Sequence, residues 1–513
     1  MPKNKVGREI PTEYAEKFGM FVDQFDRKPT YQRNAATVTA VLPGESKLRE
    51  SIKDVIIETG LKDGMTVSFH HHFREGDKVL NMVMEEIAKL GIKNLTLASS
   101  SIANVHEPII DHVKNGVITN ITSSGLRDKV GAAVSNGLME NPVVIRSHGG
   151  RARAIEMGDI KIDVAFLGAS SSDEYGNSNG SHGKAACGSL GYARVDAEFA
   201  EKVVIITDTL VPYPNTPISI PQNHVDYVVV VDSIGDPNGI AKGATRYTTD
   251  PKELLIAEYA SKVIQASPYF KEGFSFQSGT GGSSLAVARY LKDAMIEKNI
   301  KAGFALGGLT GHLAEMHEEG LIDTLIDTQS FDRGAIDSIK NNEKHYEISA
   351  SMYANPGNKG AAVNMLDVVV LSALEVDTKF NVNVMTGSDG LIRGASGGHS
   401  DTAAGSKLSI ILSPVVRGRI PTIVDDVNTV ITPGQSIDVV VTEVGIAINP
   451  LRQDLIERFK NVDIPQFTIE ELRDRAYGIV GTPEPIQYGD KVVALIEYRD
   501  GSLIDAVRQV KRD

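Results

Sequence analysis

The chain alternates short apolar runs with longer stretches in which apolar residues recur at helical spacing. Runs of the first kind include DVAFL at 163–167, YVVVV at 227–231 and DVVVL at 367–371, each strand-sized and bounded by turn residues. The stretch PKELLIAEYASKVIQAS at 251–267 predicts an amphipathic helix, and GFSFQ at 273–277 predicts the strand after it. Buried strands separated by amphipathic helices indicate a mainly parallel sheet.

The same pattern occurs twice along the chain. IDVAFLGASSSDEYGN at 162–177 matches LDVVVLSALEVDTKFN at 366–381, and IKNLTLASS at 92–100 matches IKAGFALGG at 300–308. A duplicated unit fixes the architecture. We therefore predict an α/β fold of two pseudo-repeated domains, each with a mainly parallel sheet flanked by helices, that face one another across a ligand-binding cleft.

The duplication also suggests domain boundaries. We predict an N-terminal extension over 1–35, a first domain over 36–240 and a second over 241–513. The turn-rich stretch at 233–251 is the best connector between them.

Composition narrows the class of protein. The chain has 513 residues, of which 41% are hydrophobic and 23% charged, enough for two or three domains with ample cores. A net charge of −13 argues against a broad nucleic-acid surface, and the apolar runs are too short to span a membrane. One cysteine, Cys187, and an N-terminus without the apolar core of a signal peptide predict a cytoplasmic protein.

The most specific local pattern is FQSGTGGSSLAVARYL at 276–291, where a strand ends, glycines turn the chain and a helix begins. The helix N-terminus and backbone amides there could bind a phosphate, a carboxylate or a developing oxyanion. The pattern is not a P-loop, since the Lys-Ser/Thr ending is absent. A tight turn within an α/β unit explains it equally well.

Two further glycine-rich stretches carry polar residues. GSDGLIRGASGGHSD at 387–401 includes Arg393 and His399 and would let backbone approach a flat thioester or pantetheine arm closely. SHGGRAR at 147–153 could hold a polycarboxylate through His148 and Arg151, although a solvated basic loop has the same composition.

Other candidate residues have plain structural alternatives. Glu443, at the end of an apolar run, could be a base, orient a loop or form a salt bridge. The three histidines at 70–72 cannot converge on one metal ion, because neighbours on a strand point to opposite faces, so no metal site is predicted. Cys187 sits among small residues and is expected to be packed and inert.

Several phrases of the sequence resemble the alpha chain family of bacterial citrate lyase, among them TVSFHHHFREGD, FKEGFSFQSGTGG and IRGASGGHSDTA. The resemblance covers essentially the whole chain. A more distant similarity is to CoA-transferases of the acetate and 4-hydroxybutyrate type, whose Q-x-G-x-G, G-x-G-G-x-x-D and E-x-G-x-A patterns correspond to 277–281, 396–401 and 443–447.

The resemblance implies a reaction and a set of site residues. Those CoA-transferases use a glutamate that becomes an acyl anhydride, and alignment on the helix ending EEGLI places Gly307 at its position. The implied reaction is exchange of acetyl for citryl on a carrier-protein thioester, by direct attack of a citrate carboxylate and without a covalent enzyme intermediate. The implied catalytic positions are Gly307, Gly308 and Glu443. The implied residues for binding substrate and thioester are Gln277, Ser278, Gly279, Thr280, Gly281, Gly282, Gly397, Gly398, His399, Arg393, His148 and Arg151.

The resemblance also implies partners. The expected ones are the acyl carrier protein (gamma), which supplies a phosphopantetheine-type group, and the citryl-carrier lyase (beta), in an oligomeric complex that uses citrate and releases acetate. No directly bound cofactor, nucleic acid or membrane is expected. Two alternatives stay open: a CoA-transferase or acyl-CoA hydrolase with Glu443 or Glu315 as nucleophile, and a non-catalytic metabolite sensor.

Overall fold

The computed structural model describes residues 1–23, 41, 43–242, 248–279 and 281–511. Within these residues the chain builds two large sheets flanked by helices, as predicted. The predicted boundary at 35/36 lies outside the described residues, and the connector at 233–251 is described only in part. The domain limits stay predictions.

The first sheet has ten strands within the described residues. In spatial order they are Leu48–Arg49, Tyr227–Val230, Lys202–Thr207, Val164–Ala169, Thr66–Phe69, Leu95–Ser99, Ile118–Ser123, Val143–Ile145, Tyr488–Glu497 and Leu503–Val510. All neighbouring pairs are parallel except the last.

The second sheet has nine strands in the described part of the chain. In spatial order they are His345–Glu347, Ile322–Ser330, Ala302–Leu309, Phe274–Ser278, Val368–Ser372, Leu408–Leu412, Val439–Thr442, Gly445–Ile448 and Gln466–Phe467. Only the pair Val439–Thr442 and Gly445–Ile448 is antiparallel. Short pairings elsewhere join Glu375–Asp377, Val382–Asn383 and Ile423–Val424, then Val416–Arg417 with Ile420–Pro421, and Ser171–Ser172 with Ser178–Asn179.

The two sheets share one strand order, which confirms the duplication. Reading from Tyr227–Val230 to Val143–Ile145 gives the same succession of chain positions as reading from Val439–Thr442 to His345–Glu347. Equivalent side chains make equivalent bonds: Asp163 accepts the backbone N–H of Thr66 at 2.8 Å, and Asp367 accepts that of Ser275 at 2.9 Å. In each half an aspartate before one strand thus fixes the start of its neighbour.

Helices fill the connections between the parallel strands. The α-helices are Thr12–Phe18, Ile52–Glu58, Val79–Lys89, Ile109–Lys114, Asp128–Ser135, His148–Glu156, Gly191–Phe199, Pro251–Ala266, Gly282–Lys298, Gly311–Glu318, Arg333–Asn341, Ala350–Ala354, His399–Gly405, Gln453–Phe459 and Ile469–Val480. The helix predicted over 251–267 begins at Pro251, where the Asp250 side chain accepts the N–H of Lys252 at 2.8 Å.

The two halves interlock through reciprocal loops. An added Cβ at Gly188 would lie 2.1 Å from Ser330 Oγ, and one at Gly125 would lie 2.2 Å from the Cβ of Ala395. In each case a loop of one half is in close contact with residues at the end of a strand of the other half. The C-terminal strand Tyr488–Glu497 also returns to the first sheet, beside Val143–Ile145.

Candidate active site

A pocket of about 130 Å³ lies where the two halves meet. Its lining residues come from both: His71, Arg74, Glu75, Ser101, Ala103, Ser124, Arg127 and His148 from the first half, and Gln329, Phe331, Ala395 and Gly397 from the second. Nine of these twelve residues lie within six positions after the carboxyl end of a parallel strand, which is where open α/β sheets bind ligands.

The pocket carries an excess of positive charge. Arg74 and Arg127 both line it, and the only carboxylate among its lining residues, Glu75, is already engaged by the backbone N–H groups of Asn104 and Val105. Burial, and then repulsion by Arg127, lowers the pKa of Arg74 to about 10. Within the described residues, Nη1 of Arg74 is buried without a hydrogen-bond partner. An anion with several carboxylates would satisfy this arrangement.

The three histidines at 70–72 lie in the loop after strand Thr66–Phe69 and not on the strand, so the loop and not strand alternation separates their side chains. His70 Nε2 lies 3.2 Å from Asp196 and its ring stacks with that of His72, whereas His71 faces the pocket and shares a 2.6 Å hydrogen bond with Ser100 Oγ. No group of three or more metal-ligating side chains occurs among the residues that the structure describes.

His148 stands at the N-terminus of helix His148–Glu156 and faces the same pocket. Burial lowers the pKa of His148 to about 3, so its imidazole is neutral at pH 7. Its backbone N–H donates to the carbonyl of Gly397 at 2.8 Å. Asp401 anchors this helix end by accepting from Ser147 Oγ and the Gly149 N–H, both at 2.9 Å. A carboxylate of the second half therefore positions a pocket histidine of the first.

Arg151 lies in the same helix but is paired within the first half. Its two terminal nitrogens donate to Asp196 at 2.8 and 2.7 Å, and it is 4% exposed. Arg393 forms an ion pair with Asp389, four residues earlier, with about half of its side chain exposed. Neither arginine lines the pocket. The pocket cations are Arg74 and Arg127 instead.

Gly307 and Gly308 occupy positions at which an added side chain would collide with a neighbouring side chain. Gly307 has φ +106°, and an added Cβ would lie 2.7 Å from the Gln277 carboxamide. An added Cβ at Gly308 would lie 1.7 Å from a ring carbon of Phe331. The strand pairing also shifts register between the two glycines. The shift in strand register and the close neighbouring side chains explain why glycine stands at both positions.

Gln277 and Gly398 are joined through Tyr353. The Tyr353 hydroxyl lies 2.9 Å from Gln277 Nε2 and 3.2 Å from Oε1, and an added Cβ at Gly398 would lie 2.7 Å from the same hydroxyl. Gly397, with φ +54°, adjoins His148. The predicted Gln277, Gly307, Gly397 and Gly398 are thus in one continuous region.

In the predicted glycine loop, the Gly279 N–H and the Ser278 hydroxyl make hydrogen bonds within the protein, whereas the backbone amides at the start of the next helix can bind a ligand. The N–H of Gly279 donates to the Val370 carbonyl at 3.1 Å, and Ser278 Oγ donates to the Ser284 carbonyl at 2.9 Å. Gly281 is the N-cap of helix Gly282–Lys298 and provides no side chain to its first turn. The amides at the start of this helix are the ones oriented to bind an anion. Thr280 lies outside the described residues.

His399 and Glu443 each hydrogen-bond to the backbone of another segment. His399 Nδ1 lies 2.7 Å from Thr432 Oγ1 and Nε2 lies 3.2 Å from the Ser372 carbonyl, and burial lowers its pKa to about 4. Glu443 accepts the Val415 N–H at 2.8 Å. Glu315 is 68% exposed on its helix.

Cys187 is fully buried, and burial raises the pKa of its thiol, which disfavours the nucleophilic thiolate. Among the described residues, no helix is both long and apolar enough to cross a bilayer.

Sequence reasoning missed Arg74, Arg127, Phe331 and Tyr353. Each of the two arginines follows the end of a strand within five residues, Arg74 after Thr66–Phe69 and Arg127 after Ile118–Ser123. No sequence signal existed for Phe331 and Tyr353, because their roles depend on neighbours far away in the chain.

Paired parallel sheets with facing carboxyl ends define this chain as a protein of the CoA-transferase fold. A 4-hydroxybutyrate CoA-transferase from Porphyromonas gingivalis superimposes with a TM-score of 0.55 at 18% identity, over 85% of this chain and 97% of that one. A malonate decarboxylase alpha subunit from Acinetobacter baumannii superimposes with a TM-score of 0.63 at 15% identity, over 85% and 88%.

More specifically, the chain belongs to the citrate lyase alpha subunit family, whose sequence pattern, described as "Citrate lyase, alpha subunit (CitF)", matches residues 45–510. It is thereby an enzyme component of the transferase type. The citrate lyase alpha chain of Klebsiella pneumoniae is 58% identical over 467 residues, 91% of this chain and 92% of its own length. A Streptococcus mutans crystal structure, described as an alpha subunit of citrate lyase in complex with citrate, has a TM-score of 0.97 at 68% identity, over 99% and 100%.

Proposed function

We propose that the chain exchanges acetyl for citryl on an acyl carrier protein: citrate plus acetyl-carrier thioester gives citryl-carrier thioester plus acetate. The excess cationic charge of Arg74 and Arg127 supports a polycarboxylate substrate. The similarity to a Streptococcus mutans protein that is described in complex with citrate supports the same assignment.

The first step forms an anhydride between the two substrates. An oxygen of one citrate carboxylate attacks the acetyl carbonyl, the C–S bond breaks, and the carrier thiolate leaves with the electron pair. In the second step this thiolate attacks the citryl carbonyl carbon of the anhydride, the bond between that carbon and the bridging oxygen breaks, and acetate leaves with the bridging oxygen and the electron pair. Charge and atoms balance without an oxidant or a metal.

The single observation that carries this mechanism is that glycine stands at 307 and 308, so this point of the strand offers no carboxylate, and an added side chain would collide with Gln277 or Phe331. A glutamate at Gly307 would need to displace Gln277, and one at Gly308 would need to displace Phe331. The glutamate that forms the covalent intermediate in CoA-transferases of the acetate and 4-hydroxybutyrate type therefore has no counterpart at this point of the chain. The attacking oxygen then comes from citrate, and fixed alignment of the reactants supplies roughly 7–11 kcal/mol of the barrier reduction.

Other groups stabilise the intermediates in this proposal. The uncapped first turn of helix Gly282–Lys298 faces the developing oxyanion with backbone N–H groups. The carboxamide of Gln277, held by Tyr353, orients the acyl group beside Gly307. Gly397 and Gly398 let the pantetheine arm of the carrier protein lie against the backbone.

The partners follow from the family. The gamma subunit brings the acetyl group on its phosphopantetheine-type arm, and the beta subunit cleaves citryl-carrier protein, with both assembled on this chain in one complex. Nothing in the reaction requires a cofactor bound directly to this chain.

A transfer assay tests the exchange. Acetyl-carrier protein labelled in the acetyl group is incubated with the purified chain, and release of labelled acetate is followed before and after citrate is added. We expect release only with citrate, and equimolar formation of citryl-carrier protein. Release at the same rate without citrate would instead indicate a hydrolase.

A trapping experiment tests the absence of an acyl-enzyme. During turnover the mixture is treated with hydroxylamine or borohydride and the chain is mapped by mass spectrometry. No modified carboxylate is expected. A hydroxamate or alcohol at Glu443 or Glu315 would favour the CoA-transferase alternative, and citrate binding without any turnover would favour the sensor.

A further inference from the structure

The pocket wall opposite the first half contains an aromatic ring from the second half, that of Phe331. The guanidinium of Arg74 lies over this ring, 5.2 Å from its centroid. Arg74 follows strand Thr66–Phe69 of the first half. It has φ +52°, a backbone conformation that residues with side chains rarely adopt. A contact across the interface therefore fixes where one of the two pocket cations stands.

The ring occupies its place only because residue 308 is glycine. The three atoms nearest to an added Cβ at Gly308 all belong to Phe331, at 1.7, 2.5 and 2.7 Å. The backbone of Phe331 cannot retreat easily, since its N–H donates to the Leu309 carbonyl at 2.8 Å. Gly308 does not have a left-handed φ, so an alanine there would be resisted by the ring and not by the backbone.

We propose that Phe331 is a positioning residue for the tricarboxylate: seated in the space left by Gly308, its ring holds Arg74 over the pocket in the geometry that binds a citrate carboxylate. This inference rests on the proposed function and adds a second role for the glycine pair. Gly307 makes room for the side chain of Gln277, and Gly308 makes room for the Phe331 ring that positions Arg74.

Citrate binding to the purified full-length chain, measured by calorimetry, tests the proposal. Phe331→Leu removes the ring and is expected to weaken citrate binding roughly 2- to 30-fold, the range for a partly desolvated cation–π contact. Phe467→Leu is the matched control, because the guanidinium of Arg475 lies over the Phe467 ring, 4.4 Å from its centroid, and Phe467 does not line the pocket. It should bind citrate as the wild type does.

The Gly308→Ala variant tests whether the position of the Phe331 ring depends on glycine at residue 308. We expect it to weaken citrate binding by displacing Phe331, and we expect the double variant Gly308→Ala/Phe331→Leu to bind no worse than Phe331→Leu alone. Gly478→Ala, where an added Cβ meets nothing within 4 Å, controls for the substitution type. In the transfer assay, Phe331→Leu should raise KM for citrate and leave KM for acetyl-carrier protein unchanged.

The outcomes distinguish a failure of the inference about Phe331 from a failure of the proposed function. Wild-type affinity in Phe331→Leu, or independent and additive losses from Gly308→Ala and Phe331→Leu, would overturn the inference and leave the citrate pocket standing. A Phe331→Leu defect that persists undiminished in an Arg74→Met background would also overturn it, because the ring would then act on something other than Arg74. A wild-type chain that binds no citrate would overturn the proposed function itself.

Discussion

The carboxamide of Gln277 lies where a side chain at Gly307 would have to begin: an added Cβ would come within 2.7 Å of Gln277 Cδ. This relationship joins the ends of two adjacent strands, Phe274–Ser278 and Ala302–Leu309. A side chain introduced at residue 307 would therefore compete with Gln277 for the same space. Restoring the carboxylate by substitution is therefore not equivalent to restoring the covalent mechanism.

Gly307→Glu should lose transfer activity and gain no acyl-enzyme. The substitution places a side chain at φ +106° and against Gln277, and a strained backbone of this kind costs about 1–3 kcal/mol before the collision is counted. Thermal unfolding and hydroxylamine trapping measure the two effects. A stable hydroxamate at residue 307 would contradict the account. Gly360→Ala, with open space around its added Cβ, should unfold like the wild type.

Tyr353→Phe should lower kcat of the transfer reaction by roughly 2- to 13-fold, corresponding to the loss of one hydrogen bond of about 0.5–1.5 kcal/mol. The hydroxyl fixes the Gln277 carboxamide, and phenylalanine keeps the ring that packs beside Gly398. Steady-state kinetics with saturating citrate provide the measurement. A change confined to KM for citrate would show that Tyr353 acts on binding and not on acyl orientation.

Arg127→Ala should weaken citrate binding by roughly 10- to 150-fold, as expected for a lost charge-assisted bond of about 1.5–3 kcal/mol. Arg127 lines the pocket, whereas Arg393, which the sequence suggested for this task, is paired with Asp389 at the surface. Calorimetry on Arg127→Ala and Arg393→Ala compares the two assignments. A larger loss in Arg393→Ala would favour the sequence-based choice.

Stability should fall as the pH is lowered from about 6.5 to about 4. Burial lowers the pKa of His72 and His399 to about 4 and that of His148 to about 3, while an unfolded histidine titrates near 6.5. In this window the unfolded chain binds more protons than the folded one, so the free energy of unfolding decreases by about 1.4 kcal/mol per pH unit for each such histidine.

Urea unfolding at pH 7, 6 and 5 measures this dependence. His399→Gln removes one of the three groups and should make the decline shallower over the same interval. A decline identical to that of the wild type would show that His399 is not held neutral in the folded chain.

The sequence by itself determined the duplicated α/β architecture and the parallel sheets. Strand-sized apolar runs and glycines at strand ends are visible in a few consecutive residues, and the repeat is visible as matching segments at two places in the chain. The position at which a nucleophile is predicted to be missing came from the resemblance to CoA-transferases and not from a local pattern.

Only the tertiary structure decided which charges meet the pocket. Arg151 and Arg127 are both arginines near a glycine turn, yet Asp196 engages one while the other faces the cleft. Phe331 and Arg74, or Tyr353 and Gln277, are brought together by packing between segments far apart in the chain. The partner that neutralises or orients a side chain is set by long-range contacts, which leave no periodic signal in the sequence.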